Sequence, residues 1–106
     1  MKKYNLSDMK NGWFVGDFVP TIYKTKDVEV AIKSYQANDR EDAHYHKIAT
    51  EITVITKGRV IMFGQEFKES DVIVVEPGDA TDFLALTNAQ TVVVKLPGVL
   101  GDKYLV

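Results

Sequence analysis

The chain contains two histidines, His44 and His46, which are separated by a single residue. On a β-strand such a pair points to one side, with Cα atoms roughly 6.6 Å apart, so both imidazoles can reach one metal ion at bonds of about 2 Å. Glu51 can bring a carboxylate from the next strand. The spacing predicts a metal site formed by His44, His46 and Glu51. The alternatives are an exposed pair of histidines without a ligand and a solvated carboxylate at the start of a strand.

The composition restricts the possible partners. The chain has 106 residues, 45% of them hydrophobic and 26% charged, which is typical of one globular domain with a single core. A net charge of −2 without a basic run argues against nucleic acid or an anionic membrane as a partner. The absence of cysteine excludes disulfides and fits a cytoplasmic protein. Neither a secretory signal nor a transmembrane span is expected.

The order of strands and turns predicts an all-β sandwich or barrel, because short alternating runs are separated by turn residues about every eight to twelve positions. A polar loop over 37–42 should lead into the histidine strand, and a hairpin should turn at Gly64 and Gln65. At most one helical turn is expected, near Leu6 to Lys10. The other expected strands are 28–35, 51–57, 59–63, 66–67, 71–75, 81–86 and 91–96.

Several predicted strands carry apolar residues on both faces. In the strand after the histidines, Ile52 and Val54 lie opposite Ile55. Strands that are buried on both faces normally have helices covering them, and no helix is expected to do so. We therefore predict a homodimer that packs through a sheet face including Ile52 and Val54. The alternative is that the N-terminal segment around Trp13 and Phe18 covers this face.

In spacing and residue type, His44, His46, Glu51 and Gly58 resemble the first sequence motif of the cupin superfamily. A second cupin motif consists of a glycine, five residues, Pro-x-Gly, two residues and a histidine. The stretch from residue 70 to residue 81 is similar to it but keeps only Gly78 in place, preceded by Pro77. The remaining three motif positions are held by other residues: Ser70 replaces the glycine, Glu76 the proline and Thr81 the histidine.

The resemblance implies a fold and a cofactor. The fold would be a double-stranded β-helix, or jelly-roll barrel, formed by one domain over 1–106, with the motifs in 43–96 and an N-terminal arm over 1–27. A divalent transition metal (Fe, Mn, Zn or Ni) would lie inside the barrel. Thr81 stands where cupins usually supply a further histidine ligand, so its hydroxyl would touch a metal-bound water or leave the position open. Asp82 would contribute only if a bulge redirected it.

The function implied is that of a metal-dependent enzyme acting on a small polar or carbohydrate-type molecule, with carbohydrate metabolism as the setting. One alternative is a metal-independent isomerase or epimerase, because His44-x-His46-Lys47 resembles a stretch of the sugar-nucleotide ketoisomerases of the same fold. Another is a protein that binds a metal or a small molecule without turnover. The fold itself does not choose among these three functions.

Overall fold

Two five-stranded antiparallel sheets pack face to face. The structure is a computed structural model that describes residues 1–106, with ten strands and one 3₁₀ turn over Leu6–Asp8. One sheet has the order β1-β2-β9-β4-β7 and the other has the order β10-β3-β8-β5-β6. The predicted all-β double-stranded β-helix is confirmed. The strands are β1 (Trp13–Val15), β2 (Glu29–Tyr35), β3 (Arg40–Tyr45), β4 (Thr50–Lys57), β5 (Arg59–Met62), β6 (Gln65–Lys68), β7 (Val72–Val75), β8 (Thr81–Ala85), β9 (Ala89–Leu96) and β10 (Tyr104–Leu105).

Several predicted boundaries differ from those of the structure. The histidine strand β3 already begins at Arg40, inside the segment expected to be a loop, and His46 lies one residue beyond its end. The hairpin between β5 and β6 turns at Phe63 and Gly64, whereas the sequence favoured a turn at Gly64 and Gln65. Both residues have positive φ, 52° and 67°, as a two-residue type I′ turn requires. The short strands β1 and β10 were not predicted, because two or three residues carry too little periodicity.

Gly58 connects the two sheets, since β4 belongs to one sheet and β5 to the other. Its φ of 82° lies in the left-handed region that favours glycine. A Cβ atom at this position would also lie 2.2 Å from the carbonyl oxygen of Asn88. The motif glycine is therefore required here by both backbone conformation and space.

The apolar core occupies one part of the space between the sheets, and a polar cavity occupies another part. Ile55 and Val60 are completely buried in this core. Tyr35 and Phe67 pack against its edge. The buried core residues come from both sheets and are Ile55, Val60, Met62, Ile73, Val75, Phe83, Ala85 and Ala89.

Beside the cavity, the first sheet directs charged side chains inward, and rows of aliphatic side chains face outward. An antiparallel sheet with one exposed face usually shows the opposite arrangement. Cross-strand pairing places Glu29, Lys95 and Glu51 in one inward row on β2, β9 and β4. Eight outward residues form what we term the aliphatic face. They are Val30, Val94, Ile52 and Val74 in one row and Ile32, Val92, Val54 and Val72 in the next.

The aliphatic face bears on the predicted homodimer, which stays a prediction. Val72 and Val74 are 60% and 55% exposed in the single chain. Trp13 and Phe18, the residues expected to cover this face in the alternative, line the cavity between the sheets instead. No helix in the structure has the length and the apolar character needed to cross a membrane.

We predict that Val74→Asp converts a dimer into a monomer. The side chain is exposed enough for a single chain to tolerate the carboxylate, whereas burial of an unpaired charge in an interface is costly. Light scattering should give twice the chain mass of 11.9 kDa for the unmodified protein and 11.9 kDa for the variant. Val106→Asp, at an 81% exposed position, is the matched control and should stay dimeric. A mass of 11.9 kDa for the unmodified protein would refute the prediction.

Candidate metal centre

A cavity of about 300 Å³ lies between the sheets, next to the apolar core. The three predicted metal ligands, His44, His46 and Glu51, all line it. The sheet walls bring further charged and polar side chains to the same space, and the sequence analysis did not select them. These are Glu29, Lys33, Tyr35, Glu41 and Lys95.

A one-residue irregularity in β3 turns His44 into the cavity. Glu41 pairs with Phe83 of β8, and His44 pairs with Thr81. A step of three residues along β3 is therefore matched by a step of two residues along β8. In a regular strand, residues 41 and 44 would point to opposite faces. The extra residue of the bulge puts both on the inner side, where Phe83 is also buried. Sequence reasoning considered a bulge at Asp82, but the structure places it in the partner strand.

The backbone fixes the tautomer of His46. Its Nδ1 donates a hydrogen bond to the backbone carbonyl oxygen of Asp102. A carbonyl only accepts, so in the neutral ring the proton is on Nδ1 and Nε2 carries the free lone pair. Nε2 is buried without a hydrogen-bond partner and lies 3.6 Å from Oε1 of Glu51. An orphaned lone pair opposite a carboxylate is a favourable start for a metal site.

His44 is oriented in the same way. Its Nδ1 lies 2.9 Å from the backbone carbonyl oxygen of Asp42, which again leaves Nε2 free in the neutral ring. Hydrogen bonds from the second ring nitrogen to a carbonyl are the usual support of metal-binding histidines. The two imidazole centroids are 5.4 Å apart, and the rings are inclined by 75°.

The separations between these side chains are close to those of groups that bind one metal ion together. Two atoms about 2.1 Å from one ion are about 3.4 Å apart at the tetrahedral angle, and two imidazoles bound in this way have centroids about 5.3 Å apart. The observed values of 3.6 Å and 5.4 Å are slightly longer. No three His, Cys, Asp or Glu side chains are close enough to hold a metal ion as they stand. His46 and Glu51 therefore face each other as a pair, and His44 lines the same cavity.

His46 and Glu51 shift each other's pKa. The Glu51 carboxylate raises the pKa of His46, although burial acts in the opposite direction. Burial raises the pKa of Glu51, but His46, Lys95 and His44 together hold it below its usual value. Glu51 is consequently an anion at neutral pH, as a metal-binding carboxylate has to be.

Asp102 holds the loop after β3 from the C-terminal segment, and sequence reasoning missed it. Its carboxylate accepts hydrogen bonds from the backbone N–H groups of Lys47, Ile48 and Ala49, at 3.0, 3.1 and 2.9 Å. Burial raises the pKa of Asp102, but these three hydrogen bonds and the nearby His46 lower it below its usual value. One residue thus supports both the backbone beside His46 and its ring. No local sequence signal identifies it, because its contacts lie more than 50 positions away along the chain.

The two residues considered for a fourth metal contact are placed differently. Thr81 lines the cavity opposite His44, but its hydroxyl accepts a hydrogen bond from the N–H of Phe63 and donates one to the carbonyl of Asp82, both at 2.7 Å. Asp82 is exposed at the edge of the cavity. Thr81 therefore anchors the neighbouring hairpin in this structure.

A second polar cluster lies in the same cavity. Oε1 of Glu41 accepts hydrogen bonds from Nζ of Lys33 and from the hydroxyl of Tyr35, both at 3.2 Å. Burial, followed by the Glu41 charge, raises the pKa of Tyr35 far above its usual value, so the phenol stays protonated. Lys33 and Tyr35 share one face of a predicted alternating strand, and this alternation was the sequence signal available for them. Their polar face would ordinarily be assigned to solvent.

Neither a protein-family model nor a curated protein matches the chain. Solved structures do match it. A protein with a double-stranded β-helix domain from Klebsiella pneumoniae has a TM-score of 0.70 and 19% identity, over 76% of this chain and 71% of its own. A cupin-superfamily sugar phosphate isomerase from Silicibacter pomeroyi has a TM-score of 0.59 and 19% identity, over 66% and 50%. This chain has the cupin fold. The DMSP lyase DddQ from Ruegeria pomeroyi also resembles it, with a TM-score of 0.69 and 16% identity, over 88% of this chain and 49% of that protein.

We predict that Asp102→Ala lowers the free energy of unfolding by about 1.5–3 kcal/mol, the usual range for hydrogen bonds to a charged group. Asp102→Asn should lose less, because one carbonyl oxygen still accepts. Urea unfolding at neutral pH measures both losses. Asp27→Ala is the control, since that exposed carboxylate takes part in no ion pair, and it should leave stability unchanged.

The Asp102 contribution should also depend on pH. The folded-state pKa is below the unfolded value of about 3.9, so the stabilisation is complete well above pH 4 and is lost as the pH falls through the folded pKa. The difference in stability between the unmodified protein and Asp102→Ala should therefore shrink in acid. A difference that stays constant from pH 7 to pH 3 would mean that the charge of Asp102 contributes nothing.

Proposed function

We propose that this cupin-fold chain binds a divalent transition metal through His44, His46 and Glu51 and uses it in chemistry on a small polar or carbohydrate-type molecule. The observation that carries the proposal is Nε2 of His46, which is buried, has no hydrogen-bond partner and faces Glu51 at 3.6 Å. A buried polar atom without a partner costs free energy, and a metal ion would satisfy this one.

A metal held by two imidazoles and one carboxylate would polarise an oxygen of the bound molecule or activate a water. Such a ligand set leaves positions open for the substrate, and it suits Fe, Mn, Zn or Ni. The residues around it prepare the ligands. The carbonyls of Asp42 and Asp102 hold Nε2 of each imidazole free.

Glu41 is the group we assign to proton transfer. Its carboxylate lines the cavity and is held by Lys33 and Tyr35, so its orientation is fixed before a molecule binds. The protonated phenol of Tyr35 serves as a donor to Glu41 and does not compete for the proton. A positioned carboxylate of this kind is a suitable general base beside a polarised substrate.

Two neighbours of the same fold are named as enzymes, a DMSP lyase and a sugar phosphate isomerase. They support a catalytic function here only as examples of what the fold can host, because they share 16% and 19% identity with this chain. The metal-independent isomerase has less support, since Lys47 does not line the cavity and its ammonium lies 4.1 Å from the ring centroid of Tyr104. Binding without turnover remains the second candidate, and a substrate panel separates it from catalysis.

We predict that replacing both His44 and His46 by alanine abolishes metal binding. The chain has no other histidine or cysteine to take their place. Calorimetric titration with Mn²⁺ measures the affinity, and thermal unfolding shows whether the variant is folded. His44→Ala alone, at a partly exposed position, should weaken binding at least tenfold without loss of folding. Full Mn²⁺ occupancy in the double variant would refute the proposed ligand set.

We further predict that Thr81→His tightens metal binding, because it restores an imidazole opposite His44. The substitution also removes the hydroxyl that accepts from the N–H of Phe63. Thr81→Val is the matched control, since it loses that hydroxyl without adding a ligand. An affinity for Mn²⁺ that is equal in the histidine and valine variants would show that residue 81 does not reach the metal.

A further inference from the structure

Lys95 is a cation inside the cavity that is not in an ion pair. It lies on the inner face of β9, between Glu29 of β2 and Glu51 of β4. Besides the His46–Glu51 contact, the structure contains three ion pairs, and Lys95 is in none of them. Lys33 lines the same cavity from β2 and differs in this respect, because its Nζ lies 3.2 Å from Oε1 of Glu41.

The two carboxylates beside Lys95 balance its charge only in part. Glu51 faces His46 and is assigned to the metal. Glu29 is 7% exposed, and its Oε2 is buried without a hydrogen-bond partner. Burial raises the pKa of Glu29, although Lys95 acts in the opposite direction, so the neutral carboxylic acid is favoured relative to an exposed glutamate. With a metal on Glu51, the cavity beside Lys95 carries uncompensated positive charge.

We propose that the cavity binds a small organic anion whose charged group contacts Nζ of Lys95, with the free oxygen of Glu29 available to a neighbouring hydroxyl of the same molecule. Trp13 lies beside this ammonium, with Nζ of Lys95 5.1 Å from its ring centroid, a cation–π contact that does not neutralise the charge. The inference rests on the proposed function, because a metal on Glu51 offsets negative charge that otherwise lies beside Lys95. It adds the substrate class, an acidic polyol or sugar derivative.

The size of the cavity agrees with such a molecule. Its volume of about 300 Å³ is at the lower end of the range for small-molecule sites and accommodates one molecule of roughly six carbons. A single ammonium with one acid beside it is suited to one anionic group. A carboxylate and a phosphate share this chemistry, so the experiment has to distinguish them.

The experiment compares three probes of equal carbon number. Glucitol is uncharged, gluconate carries a carboxylate, and glucitol 6-phosphate carries a phosphate. Each is titrated calorimetrically into the Mn²⁺-loaded protein and into the metal-free protein. We expect at least one anion to bind about tenfold tighter than glucitol to the loaded protein, and the tighter anion identifies the charged group. Lys95→Met should lower that affinity by about 10- to 100-fold and leave the weak binding of glucitol unchanged.

Two controls make the result specific. Lys103→Met removes a charge from another residue lining the cavity and should change anion affinity by less than about threefold. Lys95→Arg should retain the preference for the anion. Because the Lys95 charge opposes a cation on Glu51 and His46, Lys95→Met should bind Mn²⁺ more tightly than the unmodified protein. A misfolded variant would instead lose both activities.

The failure of each proposal has its own signature. Equal affinity for all three probes, including no measurable binding, would overturn the anion site even if Mn²⁺ binds. A preference for the anion that survives in Lys95→Met would overturn the role of Lys95. Absence of Mn²⁺ binding would overturn the proposed metal function, and anion binding that depends on Lys95 in the metal-free protein would then still support the anion site.

Discussion

Charged side chains share the closed space between the two sheets, and much of the structure depends on how their charges are balanced. Removal of an ionised group from water costs several kcal/mol unless a partner or a hydrogen bond compensates it. Glu41 is compensated by Lys33 and Tyr35, and Asp102 by three backbone N–H groups. Three buried side-chain atoms have no hydrogen-bond partner: Nε2 of His46, Oε2 of Glu29 and the hydroxyl oxygen of Thr91. All three belong to residues that line the cavity, which is why we propose ligand binding there.

The polar interior also affects the rest of the fold. Cavity residues on β2, β4 and β9 take inner positions that would otherwise belong to the apolar core, so the core is confined to the part around Ile55 and Val60. The aliphatic side chains of the same strands then face outward, because successive side chains alternate. Polar inner positions on these strands are thus accompanied by the aliphatic face on the outside, which the predicted partner chain would bury.

Two long-range features position the candidate ligands. The bulge in β3 brings Glu41 and His44 to the same side, although a regular strand would separate them. The C-terminal segment then places Asp102 under the loop after β3, where its carbonyl orients His46 and its carboxylate holds the backbone. His44 has only local support from Asp42. His46, which has the long-range support, is the histidine that faces Glu51, at 3.6 Å.

Much of the fold and part of the site were predictable from the sequence. Local alternation and turn residues indicated eight of the ten strands, and the spacing of His44, His46 and Glu51 was enough to identify three side chains that do line one cavity. The boundaries of β3 were wrong, because a polar stretch gives no local sign that its backbone pairs with β8. The hairpin turn was wrong by one residue, because both pairs of residues contain Gly64.

The sequence by itself determined the periodicity of the regular strands, and therefore which of their residues share a face, whereas in β3 the bulge changed this assignment. It did not determine which of the two faces is the inner one. For β2 the usual rule would bury Val30 and Ile32, whereas the structure buries Glu29 and turns Lys33 into the cavity. That choice belongs to the tertiary structure, because a carboxylate or an ammonium becomes acceptable inside only when partners from other strands meet it. Asp102 shows the same dependence, since every group it contacts lies more than 50 residues away and is brought to it by folding alone.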